Sequence, residues 1–264
     1  MGYLELDGFR LHYRVDGAIG APTVLLSNSL GTDMHLWDQQ VPILSSHFRV
    51  VRYDSRGHGA SEAPPGPYTI EALAGDALAL LDLLEIERAH ICGVSLGGML
   101  GLWLAAHRPE RVNRAVCTST AAKIGTSELW QARIESVRAE GMAAVCPTHV
   151  SRFLRAAFRS EHPELTRQIS RTCESTSPVG YIGSCLALRD ADLRPIVRSI
   201  PRPMLLVAGA QDVATPPADV QWLHAQISRS ELIRLDHAAH LANVEDPERF
   251  TQSVLAFLSR TSDA

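Results

Sequence analysis

Gly93-Val94-Ser95-Leu96-Gly97-Gly98 is the stretch of this chain best suited to chemistry. It fits G-x-S-x-G, the nucleophile elbow, in which a serine occupies a strained turn between a strand and a helix. Small residues two positions before and after the serine permit that turn without side-chain collisions. The hydroxyl would then project into a cleft, with the next backbone N–H facing an oxyanion. A serine hydroxyl is a poor nucleophile at neutral pH. It needs a base within hydrogen-bond reach, and the base needs an orienting carboxylate. Asp212, in Gly209-Ala210-Gln211-Asp212, and His240, in His237-Ala238-Ala239-His240-Leu241, follow the serine in the order acid, then histidine. Asp219 and Asp236 compete for the acid role, but the first falls in a helical pattern and the second comes too soon before the histidine. His237 competes with His240, but it follows a strand almost directly and could simply bond the backbone.

The chemistry also requires two backbone donors where negative charge develops. Leu96, after the serine, can supply one. The loop Ser27-Asn28-Ser29-Leu30-Gly31-Thr32 follows a buried strand and can supply the other from the Leu30 N–H. A second dense run, Tyr53-Asp54-Ser55-Arg56-Gly57-His58-Gly59-Ala60-Ser61, reads as structural, because a buried arginine with a carboxylate and turn carbonyls can brace loops beside a site. No metal-ligand spacing occurs among the histidines, and no phosphate- or dinucleotide-binding glycine pattern is present, so neither metal nor cofactor is expected.

The elements that would position these groups alternate between strand and helix. A hairpin is expected at residues 3–6 and 11–15 around the Asp7-Gly8 turn, with further strands at 23–27, 48–53, 89–94 and 112–118. A helix is expected near 37–44. A second, capped by Thr69, shows Ile70, Leu73, Ala77, Leu80, Leu81 and Leu84 on one side. A third runs over 96–107, ahead of Pro109. Residues 122–195 break the alternation with helical patterns at 128–140, 144–158, 164–174 and 181–189. It resumes with strands at 204–208 and 231–235 and helices at 218–227 and 247–258. The simplest account is an α/β core, 1–121 and 196–264, with an inserted helical cap, 122–195. Parallel strands joined by helices imply a doubly wound sheet with its ligand site at the strands' carboxyl ends. Only residues 261–264 look frayed.

The 264 residues carry a net charge of −4, which argues against nucleic acid as the main partner. No stretch approaches the roughly 20 apolar residues of a membrane span, and the N-terminus does not read as a secretory signal. The five cysteines, Cys92, Cys117, Cys146, Cys173 and Cys185, are odd in number and form no C-x-x-C pair. They read as reduced thiols in a cytoplasmic protein.

Several runs carry a family resemblance. Asp54 to Ser61, the Gly93–Gly97 elbow, and His240-Leu241-Ala242-Asn243-Val244-Glu245-Asp246-Pro247 resemble the α/β-hydrolase superfamily. Ser27-Asn28-Ser29-Leu30-Gly31-Thr32-Asp33, Gly66-Pro67-Tyr68-Thr69-Ile70-Glu71, Ala121-Ala122-Lys123-Ile124-Gly125, Ala191-Asp192-Leu193-Arg194-Pro195 and Asp212-Val213-Ala214-Thr215-Pro216-Pro217 are similar to 3-oxoadipate enol-lactonases within it. The resemblance covers nearly the whole chain. It implies an α/β-hydrolase fold and hydrolysis of a five-membered enol-lactone bearing a carboxylate, in bacterial aromatic degradation. The charge distribution agrees modestly. Ten of the 25 Lys and Arg residues but only eight of the 29 acidic residues fall within 122–195, which favours an anionic substrate beneath the cap. Trp130 and Arg133 share a helix face and could cover the ring and pair with the carboxylate, with Lys123 a second candidate for the carboxylate. A core tryptophan beside a solvated arginine is the plain alternative. A carboxylesterase, a carbon–carbon bond hydrolase or a hydrolase-fold ligand receptor would use the same frame, and a homo-oligomer is also open.

Overall fold

The computed structural model describes residues 1–260; the tail 261–264, expected to fray, lies outside them. Eight strands form one sheet in the order β1-β2-β4-β3-β5-β6-β7-β8. β1 (Gly2–Leu6) and β2 (Phe9–Asp16) make the expected hairpin, and β2 pairs antiparallel with β4 (Arg49–Tyr53). β3 (Thr23–Ser27), β5 (Ala89–Val94), β6 (Val112–Thr118), β7 (Met204–Gly209) and β8 (Ser230–Leu235) continue in parallel. Every residue of β3, β5 and β7 is buried. That follows from their position, since a parallel strand covered on both faces has no solvent side. The strand period of two divides the interior. Leu25, Ile91, Cys117 and Leu206 face one apolar cluster, while Val24, Leu26, Val116 and Leu205 face the other.

The helices follow α1 (Val41–Leu44), α2 (Ile70–Leu83), α3 (Leu96–His107), α4 (Ser127–Glu140), α5 (Cys146–Phe153), α6 (Ala156–Glu161), α7 (Pro163–Ser175), α8 (Pro178–Asp190), α9 (Pro217–Gln226), α10 (Ala242–Glu245) and α11 (Pro247–Leu258). Thr69 caps α2 through a bond from the Ala72 N–H, as its residue type predicts. Five helices, α4 to α8, lie between β6 and β7. No helix among the described residues is long and apolar enough to cross a membrane.

Three expectations need correction. The helix expected over 144–158 is two, α5 and α6, because Leu154 and Arg155 turn extended. Two backbone groups at this break bond to the core: Leu241 N–H donates to Phe153 O at 3.1 Å, and Arg155 N–H donates to Glu245 Oε1 at 2.9 Å. The helix expected over 37–44 is a 3₁₀ turn, Met34–Trp37, followed by the short α1. Finally, Cys146 and Cys173 form a disulfide and are not free thiols. They lie 27 residues apart, and the packing of α5 on α7 joins them, which no local spacing could reveal. Cys92, Cys117 and Cys185 are free and buried.

Candidate active site

Ser95 links β5 to α3 with φ 57° and ψ −111°. For a residue with a side chain this conformation costs about 1–3 kcal/mol, so the surroundings must enforce it. They do so by hydrogen bonds and by lack of space. Ser95 N–H donates to Thr118 O at 2.9 Å, and Ser95 O accepts from Thr120 Oγ1 at 2.8 Å. A Cβ on Gly93 would sit 2.2 Å from Gly97 O, and one on Gly97 would sit 2.2 Å from Ser27 O. The turn therefore closes only with glycine at both positions.

Asp212 follows β7, and His240 lies between β8 and α10. His240 Nδ1 and Asp212 Oδ2 are 2.9 Å apart, both buried. Since the carboxylate only accepts, Nδ1 donates, and in the neutral ring the lone pair is then on Nε2. Asp212 also accepts from the Ala214 N–H at 2.7 Å, the Thr215 N–H at 2.9 Å and Thr215 Oγ1 at 2.7 Å. Burial pushes its pKa up, but the His240 interaction and the Thr215 hydrogen bonds outweigh it and hold the carboxyl below its ordinary range. Asp236 and His237 are exposed, and Asp219 lies on α9. Glu245, whose role the residue pattern did not reveal, ties this loop down. It accepts from the Ala239 N–H at 2.5 Å and from Arg155.

The Ser27–Thr32 loop is braced from within. Asn28 donates to Tyr53 O at 2.7 Å, accepts from Trp37 Nε1 at 2.8 Å, and its backbone carbonyl accepts from Gly97 N–H at 3.1 Å. Among the described residues, neither the Leu30 nor the Leu96 N–H donates to a protein acceptor. Asp54 accepts from the Met34 and Ala60 N–H groups, and Arg56 pairs with Asp76. His58 is buried against the Arg56 carbonyl. All three brace loops.

Ser95 and His240 line one cleft. Leu30 borders it, and α4 and α5 contribute Trp130, Arg133, His149 and Arg152. The Arg133 guanidinium lies 5.2 Å from the Trp130 ring centroid, a cation–π arrangement. Among the described residues, no acidic side chain lines the cleft. Lys123, the chain's sole lysine, lies elsewhere, in a shallow groove with Arg194, Asp219 and Trp222. Arg152 and His149 were not expected. Their three-residue spacing on α5, one residue before Phe153, is the signal that would have placed both on an inward helix face. The arrangement can bind a small anion beside a hydroxyl and an oriented imidazole.

Known proteins share this frame. Residues 22–247 match the family described as alpha/beta hydrolase fold. The chain is 42% identical to 3-oxoadipate enol-lactonase 2 of Acinetobacter baylyi, covering 97% of this chain and 96% of that protein. It is 32% identical to RutD of Agrobacterium fabrum, a candidate carbamate hydrolase, covering 95% and 97%. The crystal structure of the enol-lactonase from Burkholderia xenovorans LB400 superposes with a TM-score of 0.96 at 43% identity, covering 98% of this chain and all of that one. The chain belongs to the α/β-hydrolase family, is a carboxylic ester hydrolase within it, and resembles 3-oxoadipate enol-lactonases along nearly its whole length.

Proposed function

We propose that this protein is a cytoplasmic enzyme that hydrolyses 3-oxoadipate enol-lactone to 3-oxoadipate in aromatic degradation, with residues 122–195 acting as a cap over an α/β core. The observation that carries the reading is the cleft beside Ser95, which holds two guanidinium groups, Arg133 and Arg152, and, among the described residues, no carboxylate. An anionic substrate fits that field and an anionic wall would repel it. The Cys146–Cys173 bond is the one feature that weighs against a reducing compartment.

In this mechanism His240 Nε2 takes the proton of Ser95 Oγ as the oxygen attacks the lactone carbonyl. The Leu30 and Leu96 N–H groups hold the tetrahedral oxyanion. Collapse breaks the ring C–O bond and releases an enolate, which takes the proton held on His240 and becomes the ketone. The leaving group is already stabilised, so it needs less help from a general acid than an amine would. His240, held by Asp212, then activates water to release the acyl group, and Ser95 regains its proton. Arg133, stacked on Trp130, receives the substrate carboxylate.

The test compares kcat/KM for the enol-lactone with that for p-nitrophenyl acetate. Charge-assisted hydrogen bonds contribute about 1.5–3 kcal/mol each, so the lactone is expected to lead by roughly 100-fold or more. A strong preference for the neutral ester would instead make this a simple carboxylesterase.

A further inference from the structure

His149 is a buried histidine on α5 that the proposed triad does not use. Its Nε2 lies 2.9 Å from the Leu30 carbonyl oxygen. A carbonyl has no proton to give, so Nε2 carries the hydrogen and donates. Its Nδ1 lies 3.2 Å from Arg133 Nη1 and 3.4 Å from the Tyr181 hydroxyl. A guanidinium only donates, so Nδ1 is the acceptor. Burial, with the Arg133 charge adding to it, pushes the imidazole down to about 3, so the ring stays neutral with one proton on Nε2. The bonds run in one direction, from Arg133 through the ring to the backbone of Leu30.

Close packing supports the same link. Gly31 has φ +70°, and a Cβ there would sit 3.1 Å from His149 Nε2. The loop can reach the imidazole because this residue lacks a side chain. On the other side, the Phe153 ring lies 3.9 Å from the His149 ring and 4.6 Å from that of His240. The imidazole thus has little freedom to turn.

We propose that His149 is a positioning residue that ties the Arg133 guanidinium to the backbone of Leu30, so that the group receiving the substrate's charge and the residue offering an oxyanion donor are held by one ring. The proposal deepens the lactonase reading and rests on the roles given there to Arg133 and Leu30.

Two variants separate the two ends of the link. Asparagine puts an acceptor near the place of Nδ1 but cannot reach Leu30. Glutamine reaches Leu30 with an amide N–H but leaves no acceptor for Arg133. Loss of an oxyanion donor costs about 10²–10³ in kcat, so misplacing one should make His149→Asn slower than His149→Gln by roughly 10-fold, on the enol-lactone and on p-nitrophenyl acetate alike. Conversely, His149→Gln should raise KM for the enol-lactone by about 10-fold more than His149→Asn does, the size of one charge-assisted hydrogen bond, with no such gap on the neutral ester. Parallel losses without this crossover, or loss of the folded circular-dichroism spectrum in both variants, would mean that His149 only packs. If the wild-type protein does not turn over the enol-lactone, the lactonase reading fails by itself. The Leu30 end is then read from p-nitrophenyl acetate, and the Arg133 end from inhibition of that reaction by adipate.

Discussion

The loops at the carboxyl ends of the strands and the helices between β6 and β7 hold their functional groups by different means. At the tightest turns of the loops, backbone atoms leave no alternative to glycine. Gly93 and Gly97 fit only as glycines, and a Cβ on Gly209 would sit 1.9 Å from Ala239 O. In the helical segment, side chains do the holding, across long stretches of sequence: His149 meets Leu30, and Arg152 donates to Val213 O at 3.0 Å. The difference teaches where change is tolerated. A site built on backbone geometry keeps its shape as neighbouring side chains vary, whereas a side-chain lining can be replaced residue by residue. One scaffold can then serve many ester substrates.

The sharpest test of the division is Ser95→Ala. It should lower kcat by about 10⁴–10⁶ on charged and neutral substrates alike, with little change in the thermal midpoint. Retained turnover would sink the covalent mechanism. Arg133→Leu probes the other region. It should raise KM for the anionic lactone about 10- to 100-fold and weaken hydrolysis of p-nitrophenyl acetate much less. Equal losses on both substrates would erase the distinction between chemistry in the loops and recognition by the helices between β6 and β7.

The smallest effect is a pH dependence shared by both regions. Burial holds His90 in the core near about 4 and His149 in the helical segment near about 3, against an ordinary value of 6.5. Below pH 6.5 the unfolded chain takes up protons that these folded sites refuse. The stability from their neutral state is therefore complete above 6.5 and falls as the pH drops toward those lower values. Asp212, held below its ordinary value, adds to the decline at the acid end. Urea midpoints measured from pH 7 to 4 should fall steadily, and His149→Gln should flatten the slope. A flat wild-type profile would contradict the neutral buried imidazoles.

Much of the fold is legible in short stretches. Leu96–His107 and Pro247–Leu258 form helices with the bounds their spacing and flanking prolines predict, because helix signals act within a few residues. Asp212 and His240, expected from chain order at the ends of two strands, are hydrogen-bonded to one another. Illegible features depend on how distant segments dock. The 144–158 pattern continues smoothly as sequence, yet Leu241 and Glu245 draw its middle into extended backbone. Trp130 for the ring, and Arg133 with Lys123 as second choice for the carboxylate, could not be ranked by position from the residues alone; the first two line the cleft, and Lys123 lies in a separate groove.

The residue order by itself determined the alternating core, the serine elbow and the order of the acid and histidine, since these follow from periodicity, small residues and strand ends. Only the tertiary structure decided that Arg133 and Arg152 face the cleft, that Cys146 meets Cys173, and that His149 bonds the Leu30 carbonyl. Those contacts join helices to loops far away in the chain, and the relative placement of such segments is set by the shapes of the surfaces they bury.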